Sequence, residues 1–265
     1  MAAKQADAAG PQKPDWLARA LARSGAAPLK DAETMIAAGR VRLDGKVVKQ
    51  PFAPVYPGVK VELDGKPLEV DPTTRVLVLH KPAGVVCADQ DQHQRGEEGG
   101  TVFEVLEQAL PESLRGFGWH AVGRLDRDTT GLLLFTNDER FVAHATSPTT
   151  KLPKRYVAKV GASITDGHLA RLAQGIALED GPTAPAQARR RAEREIELTL
   201  TEGRFHQVKR MLGAVGLPVL SLHREAIGGL ELDVEPRAVR LLADPEVESL
   251  LAYRPRHRVP DPHSA

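Results

Sequence analysis

The chain has 265 residues and a single cysteine, Cys87. No intrachain disulfide can form, which fits a reducing compartment such as the cytosol. Aromatic residues make up only 4 %, so any stacking on bases must fall to very few rings. No apolar run approaches the roughly eighteen residues of a membrane span. The opening stretch MAAKQADAAGPQKP lacks the apolar core of a secretory leader. A membrane partner is therefore not expected, and a cytoplasmic location is. Neither sign of charge is in excess, since 36 Lys and Arg against 35 Asp and Glu leave +1. A surface for nucleic acid would have to be local. Also missing are a dinucleotide fingerprint, a phosphate loop and a cluster with metal-ligand spacing. Neither a metal nor a cofactor is expected.

What is present is a normal share of hydrophobic residues, 42 %, enough for a sizeable core and one or two domains. The most informative stretch is Trp119 to Asp138, WHAVGRLDRDTTGLLLFTND. One apolar run holds Val122 and Leu125, and a second holds Leu132, Leu133, Leu134 and Phe135. Between them lies a polar hinge of Arg124, Asp126, Arg127, Asp128, Thr129, Thr130 and Gly131. Short apolar runs bounded by turn residues predict buried strands. A charged loop at the end of such strands is a rigid mount for chemistry.

Three readings of the hinge compete. One is a polar turn with a local ion pair, which is worth little. Another is a calcium loop, because Asp126, Asp128, Thr130 and Gly131 fall at the early ligand positions of the EF-hand pattern. That pattern fails at Asn137, which cannot supply the bidentate carboxylate needed there, and the flanks read as strands. The remaining reading is a catalytic aspartate. Spacing alone does not choose between Asp126 and Asp128.

Along the chain, a tail over 1–14 precedes a compact unit over 15–72. Leu17 and Leu21 predict a helix from Asp15 to Gly25. Met35 and Ile36 predict another from about Asp31 to Ala38, with Asp31 as its cap. RVRL, Asp44-Gly45 and KVVK form a hairpin signal, repeated by VKVEL, Asp64-Gly65 and KPLEV. Asp71 to Thr74 reads as a linker. A larger unit over 73–253 follows. It opens with a buried strand VLVLH, a Lys81-Pro82-Ala83-Gly84 turn and a polar segment from Asp89 to Gly100. TVFEVLEQAL is an amphipathic helix with Thr101 and Glu104 as a capping box. Cys87 reads as a small buried hydrophobe.

After the hinge come a helix, ERFVAHAT, and the basic segment KLPKRYVAKV. The latter carries Lys151, Lys154, Arg155 and Lys159 around Tyr156, which is expected to stack rather than anchor a core. Thr165 to Gln174 is a capped helix stopped by Gly175. EIELTLT alternates as a half-buried strand. Arg189, Arg190, Arg191 and Arg194 precede it, offset by nearby glutamates. Val208, Met211, Leu212 and Val215 recur at helical spacing, with Lys209 at the edge of that stripe. A basic tail occupies 254–265.

The string GRLDRDTTGLLLFTND resembles the aspartate motif of the pseudouridine synthases that modify ribosomal RNA, the family including RsuA, RluB and RluF. The Lys-Pro-Ala-Gly turn resembles that family's first motif and EGRFHQVKRM its third, and the three occur in order. LARSGAAPLKDAETMIAAGRVRLDGKVV resembles a small RNA-binding domain shared with a small-subunit ribosomal protein. Pro28, Leu29 and Lys30 stand where relatives carry a Ser-Arg-Arg-like start.

The resemblance implies an α+β fold, with a mixed, largely antiparallel sheet and flanking helices after the small RNA-binding domain. It implies isomerisation of a uridine in ribosomal RNA to pseudouridine without a cofactor. The partner would be ribosomal RNA or a pre-ribosomal particle, met by a monomer. Asp126 would be the nucleophile, Tyr156 would lie against the flipped base and Lys209 would pair with the carboxylate. RNA contacts are expected from Arg124, Arg19, Arg23, Arg40, Arg42, Lys154, Arg155, Arg204, His206, Gln207 and Arg210. Lys30, Lys46 and Arg224 are further phosphate candidates by charge.

Two rivals remain at this point. One is a ribosome-assembly factor that binds RNA without catalysis. The other is a glycosidase using Asp126 and Asp128, whose short separation makes the two-carboxylate geometry hard to reach. SGAAPLKDAE is slightly nearer the large-subunit enzymes. The residues leave open which uridine is modified and whether Asp126 attacks the base or the sugar.

Overall fold

A computed structural model describes residues 15–56, 58–70, 73–88, 100–150 and 152–253. The expectations for the two tails, for most of the Asp89–Gly100 segment, for part of the linker and for Lys151 lie outside these residues. The chain divides into two compact units. One comprises 1–74 with 113–119, the other 75–112 with 120–265.

The first unit contains β1 (Asp15–Trp16), α1 (Leu17–Arg23), α2 (Leu29–Ala37), β2 (Val41–Leu43), β3 (Lys46–Val48), β4 (Pro54–Val55), β5 (Val61–Leu63) and β6 (Lys66–Leu68). Its four-stranded sheet runs β3-β2-β5-β6. Both expected hairpins form. Asp44 and Gly45 have φ of +47° and +79°, and Asp64 and Gly65 have +53° and +76°. Two successive left-handed residues are what a two-residue hairpin turn requires. The helices start elsewhere than expected. Asp15 and Trp16 are extended because they pair with Val55 and Pro54. The second helix begins at Leu29, with Pro28 extended before it at φ −54° and ψ 150°. Pro28 has a fixed φ and no N–H to satisfy, which suits a helix entry. Asp31 is therefore not the cap; it sits in the first turn, where its charge complements the helix dipole. Leu17, Leu21, Ile36, Val41 and Val61 form the core of this unit.

The second unit contains β7 (Val76–Lys81), α3 (Val102–Ala109), β8 (His120–Val122), β9 (Thr130–Thr136), α4 (Glu139–Thr146), β10 (Lys154–Val160), α5 (Asp166–Gln174), β11 (Ala177–Leu178) and β12 (Gly181–Pro182). It continues with β13 (Gln187–Ala192), β14 (Glu195–Leu200), α6 (Gln207–Ala214), β15 (Val219–Ile227), β16 (Leu230–Glu231), β17 (Val239–Leu241) and α7 (Asp244–Ala252). Nine strands make one sheet in the order β13-β14-β10-β15-β9-β7-β17, with β8 beside β9 and β16 beside β15. Among them β9 and β15 run parallel, and every other pair is antiparallel. The fold is α+β with a mixed, largely antiparallel sheet and flanking helices, as expected.

Local sequence accounts for much of this. Thr101 Oγ1 accepts from the Glu104 N–H at 3.2 Å, and the Glu104 carboxylate accepts from the Thr101 N–H at 2.9 Å, closing the capping box of α3. Gly175 ends α5 at φ +87°. Residues of β14 alternate between buried and half-buried, as its sequence alternates. The arginine run before it is itself a strand, β13, which its pattern does not announce. It lies at the sheet edge and is almost wholly exposed, so no apolar alternation is needed. Arg189 and Arg191 pair with Glu197 at 2.8 and 2.6 Å, and Arg191 with Glu225 at 2.6 Å, which offsets their field.

Candidate active site

The aspartate hinge spans 123–129, between β8 and β9. Thr130 and Gly131 are not part of it; they are the first residues of β9, drawn in by pairing with His223 and Arg224. Gly131 has φ +111°, and a Cβ there would lie 2.2 Å from the Arg224 carbonyl oxygen. The glycine thus lets β15 approach β9 where the hinge ends.

The hinge is held by the Lys-Pro-Ala-Gly turn. The Gly84 N–H donates to the Arg127 carbonyl at 2.8 Å, and Arg127 Nε donates to the Gly84 carbonyl at 3.2 Å. Lys81 is fully buried, and its Nζ donates to the carbonyls of Pro82 (2.9 Å), Arg127 (3.2 Å) and Thr129 (2.9 Å). Burial pushes the Lys81 pKa below the usual lysine range. On sequence alone this lysine belongs only to a turn. In the fold it ties three carbonyls of two segments together. Lys81→Met would leave those carbonyls without this donor, at about 1–3 kcal/mol for each buried group left unsatisfied. A loss of roughly 3 kcal/mol is expected in urea unfolding. An unchanged urea midpoint would show that Lys81 does not hold the hinge.

Lys209, on α6, reaches the hinge from the other side. Its Nζ lies 3.1 Å from Asp126 Oδ2 and 2.5 Å from Asp128 Oδ1. The expected pair is therefore a trio, and the shorter contact belongs to Asp128. Two hinge residues two positions apart turn both carboxylates toward one ammonium group. That hydrogen bond holds the Asp128 carboxyl below the usual carboxylate range. Burial works against the Lys209 charge, but the bonds to Asp128 and Asp126 outweigh it and raise its pKa. A lysine between these aspartates also stands where the calcium reading would put the metal. His206 Nε2 is 3.4 Å from Asp126 Oδ1. The His206 backbone is left-handed at φ +48°, and its ring stacks on Phe205 at 3.8 Å.

Asp126, Tyr156, Lys154, Arg224, Arg124 and His206 share one cavity of about 600 Å³. Asp126 is 25 % exposed, whereas Asp128 is 74 % exposed and does not line it. Tyr156 is half-buried and packs against the core beneath β10, β14 and α6 while also lining the cavity. It anchors the core, contrary to the simple choice of stacking alone, and leaves ring surface toward the space. Tyr156 faces Arg224 across β10 and β15, with Arg224 Nη1 donating to the phenol oxygen at 3.4 Å. Lys154, partly buried, has its pKa lowered to about 8 by burial and then by the Arg224 cation. Gln207 is buried and bonds Glu202 and the Arg204 N–H. Arg204 donates to the carbonyls of Gly181 and Pro182, at 3.0 and 2.5 Å, from the cavity wall.

Other expected contacts lie elsewhere. Arg23 is 2 % exposed, 3.5 Å from Asp15, and is a buried structural cation rather than a surface one. Arg40 is bidentate with Asp64 at 2.8 and 2.5 Å. Arg42 is exposed, and the Arg19 guanidinium lies 4.5 Å over the Trp16 ring. Arg155 pairs with Glu225 and Glu231, and Arg210 with Asp180 at 2.5 Å, so both charges are offset. Cys87 is not a buried hydrophobe. It is partly exposed, lines the cavity and accepts a bond from the Leu125 N–H at 3.4 Å on its sulfur. Phe205, 76 % exposed beside the cavity, was not singled out by the sequence. Its position between Arg204 and His206, in a chain with six phenylalanines, was the only signal.

Residues 75–214, just over half of the chain, match the family described as RNA pseudouridylate synthase. The chain belongs to that family. The synthase also carries an S4 domain, matched over residues 15–67. It is 39 % identical to the ribosomal small subunit pseudouridine synthase A of Vibrio parahaemolyticus, over 83 % of this chain and 93 % of that protein. The corresponding protein of Escherichia coli K12 is 36 % identical, over 82 % of this chain and 91 % of its own length. A pseudouridylate synthase of known crystal structure is 31 % identical, with a TM-score of 0.60, and covers 89 % of this synthase and 99 % of itself. The chain is an enzyme, an isomerase, which sets aside the reading as an RNA-binding factor without catalysis.

Proposed function

We propose that this synthase converts a uridine of small-subunit ribosomal RNA to pseudouridine, with Asp126 as nucleophile. The observation that carries this reading is the cavity shared by the Asp126 carboxylate and the Tyr156 ring, with Lys209 Nζ 3.1 Å from Asp126. The small subunit is favoured because the two relatives named above are small-subunit enzymes, against the lean of the SGAAPLKDAE segment.

The reaction breaks an N-glycosidic bond and joins the same base to the sugar through carbon. It needs a nucleophile, a way to hold the detached base and a proton moved off carbon. Lys209, 3.1 Å away, orients the Asp126 carboxylate. A cavity of about 600 Å³ has room for an everted nucleoside. Eversion costs a few kcal/mol and is cheapest in loops. Stacking on Tyr156 returns about 1–3 kcal/mol of that. Arg124 is exposed at the cavity and suits a phosphate; His206, Arg204 and Lys154 line the walls. Residues 15–72 hold the RNA, through Arg19 and Arg42 above all, and 73–253 carry the chemistry. No helix among the described residues is long and apolar enough to cross a membrane. We take the synthase as a monomer that meets ribosomal RNA in the cytoplasm.

The test is incubation of the full chain with small- and large-subunit ribosomal RNA transcripts and partly assembled particles, followed by mapping of carbodiimide-modified uridines. One new modified position in small-subunit RNA is expected. A mark in large-subunit RNA would overturn the subunit assignment. No mark in any substrate would overturn the reaction.

A further inference from the structure

Two cations line the cavity without a carboxylate partner among the described residues. Arg224 is 4 % exposed; its Nε donates to the Leu132 carbonyl at 2.7 Å and its Nη1 to Tyr156, but its buried Nη2 has no partner among the described residues. Lys154 stands two residues before Tyr156 on β10, and Tyr156 faces Arg224 in register on β15. All three line the cavity. A buried donor without an acceptor is costly, and an unpaired buried charge more so. The nearby acids are engaged elsewhere: Asp126 with Lys209, and Glu202 with Gln207 and Arg204. The pair is therefore kept for an acceptor that arrives with the substrate.

We propose that Arg224 and Lys154 bind the exocyclic oxygens of the uracil and hold the negative charge that the base acquires during isomerisation. This rests on the reaction assigned above, and it holds for either point of attack. If Asp126 attacks the anomeric carbon, the N1–C1′ bond breaks with its electron pair on N1, and the charge spreads to O2 and O4. If Asp126 adds to C6, the electrons of the C5–C6 bond move out to O4 as an enolate. Either way the charge lands on oxygens at the ring edge. In the first route C5 then displaces the Asp126 carboxylate from C1′; in the second C5 takes C1′ from N1, leaving that electron pair on N1, and Asp126 is expelled from C6. In both, the C5 proton leaves and N1 gains one, so nothing is consumed. A base stacked on Tyr156 would bring that edge to the cations flanking the phenol. Backbone phosphate, the rival ligand, suits exposed Arg124 better than a 4 % exposed arginine.

Lys154→Met, Lys154→Arg and Arg224→Lys, made in the full chain, are compared on the small-subunit RNA substrate modified by the wild type. Single-turnover rates and RNA affinity are measured over a range of salt. For Lys154→Met the expected loss of rate is about 100-fold, as for one donor to a developing oxyanion. RNA affinity should stay within about two-fold, with an unchanged salt slope, because no phosphate contact is lost. The pH profile reports on Lys154 itself. The wild-type rate should fall as pH rises through about 8, where this ammonium group loses its proton. Lys154→Arg should abolish that fall, since arginine stays charged.

Other groups facing Lys154 are Arg224 and Tyr156 on the strands and Asp126, Arg124 and Cys87 around the hinge. Arg127 of the hinge, and Glu202, Arg204 and His206 from the segment before α6, line the same cavity. Cys87→Ser should leave the fall in place, which excludes the thiol as its source. Arg224→Lys should lower the rate without weakening RNA binding. Should that variant fail to fold, the Lys154 pair and its pH profile decide alone. Weaker binding with a salt slope reduced by about one would mean a phosphate clamp and overturn the proposal. So would wild-type turnover in Lys154→Met. A wild-type chain that makes no pseudouridine would instead sink the assigned reaction.

Discussion

Asp126→Asn is expected to end pseudouridine formation while leaving RNA bound. The amide matches the carboxylate in shape but is neutral and a poor nucleophile. Lys209 would remain in place because Asp128, at 2.5 Å, still holds it. The hinge backbone is fixed by Lys81 and Gly84 rather than by the Asp126 side chain. Fold and RNA affinity should therefore survive. Removing a nucleophile commonly costs about 10⁴–10⁶ in rate, so single-turnover conversion should drop to background. Asp128→Asn is the matched control. That residue is 74 % exposed and off the cavity wall, and its loss should cost no more than about ten-fold, the size of one weakened electrostatic contact. Should Asp126→Asn convert uridine within ten-fold of the wild type, or should Asp128→Asn prove the more damaging, the nucleophile has been assigned to the wrong residue.

The largest effect on stability should come from Gly131→Ala. At φ +111° the residue sits where an L side chain is strained. The added Cβ would lie 2.2 Å from the Arg224 carbonyl oxygen and 2.6 Å from its nitrogen. Those are backbone atoms, and β15 cannot retreat because β10 pairs with it on its far side. The left-handed penalty is about 1–2 kcal/mol, and overpacking adds roughly 1–3 kcal/mol or more. A loss of about 4 kcal/mol in urea unfolding is expected from their sum. Gly213→Ala supplies the contrast. It lies inside α6, with negative φ and nothing within 4 Å of the new atom. That variant should be stabilised by about 0.5–1 kcal/mol, since alanine is the better helix former. Equal midpoints for the two variants would refute the claim that close approach at Gly131 builds the site.

Residues acting on near neighbours announced themselves in the sequence. Asp-Gly pairs set both hairpins because two left-handed residues are needed there whatever surrounds them. Thr101 and Glu104 capped α3 from three residues apart. The run from Glu139 to Thr146 was a helix over the expected residues, and the alternation of EIELTLT was a strand. The three ordered motifs pointed to the family that the comparisons show. Where contacts span the chain, the same reasoning fell short. Lys81 reads as part of a turn until the fold sets it against carbonyls 46 and 48 residues away. Arg23 reads as a surface base until Asp15 and the core of its unit enclose it. No local pattern shows that β13 would find an edge on β14.

Residue order alone therefore determined the α+β class, the strands and helices with local signals, and the hinge that carries the acids. Only the tertiary structure decided which aspartate lines the cavity, that Lys209 is shared between two carboxylates, and that Arg224 and Lys154 sit beside Tyr156, with Arg224 Nη2 unpaired among the described residues. Backbone preferences act over three or four residues and can be read along the chain. The electrostatics of a buried site depend on which distant charges are brought within a few ångströms of one another and cut off from water, and that is fixed only when strands 68 or 92 residues apart come together.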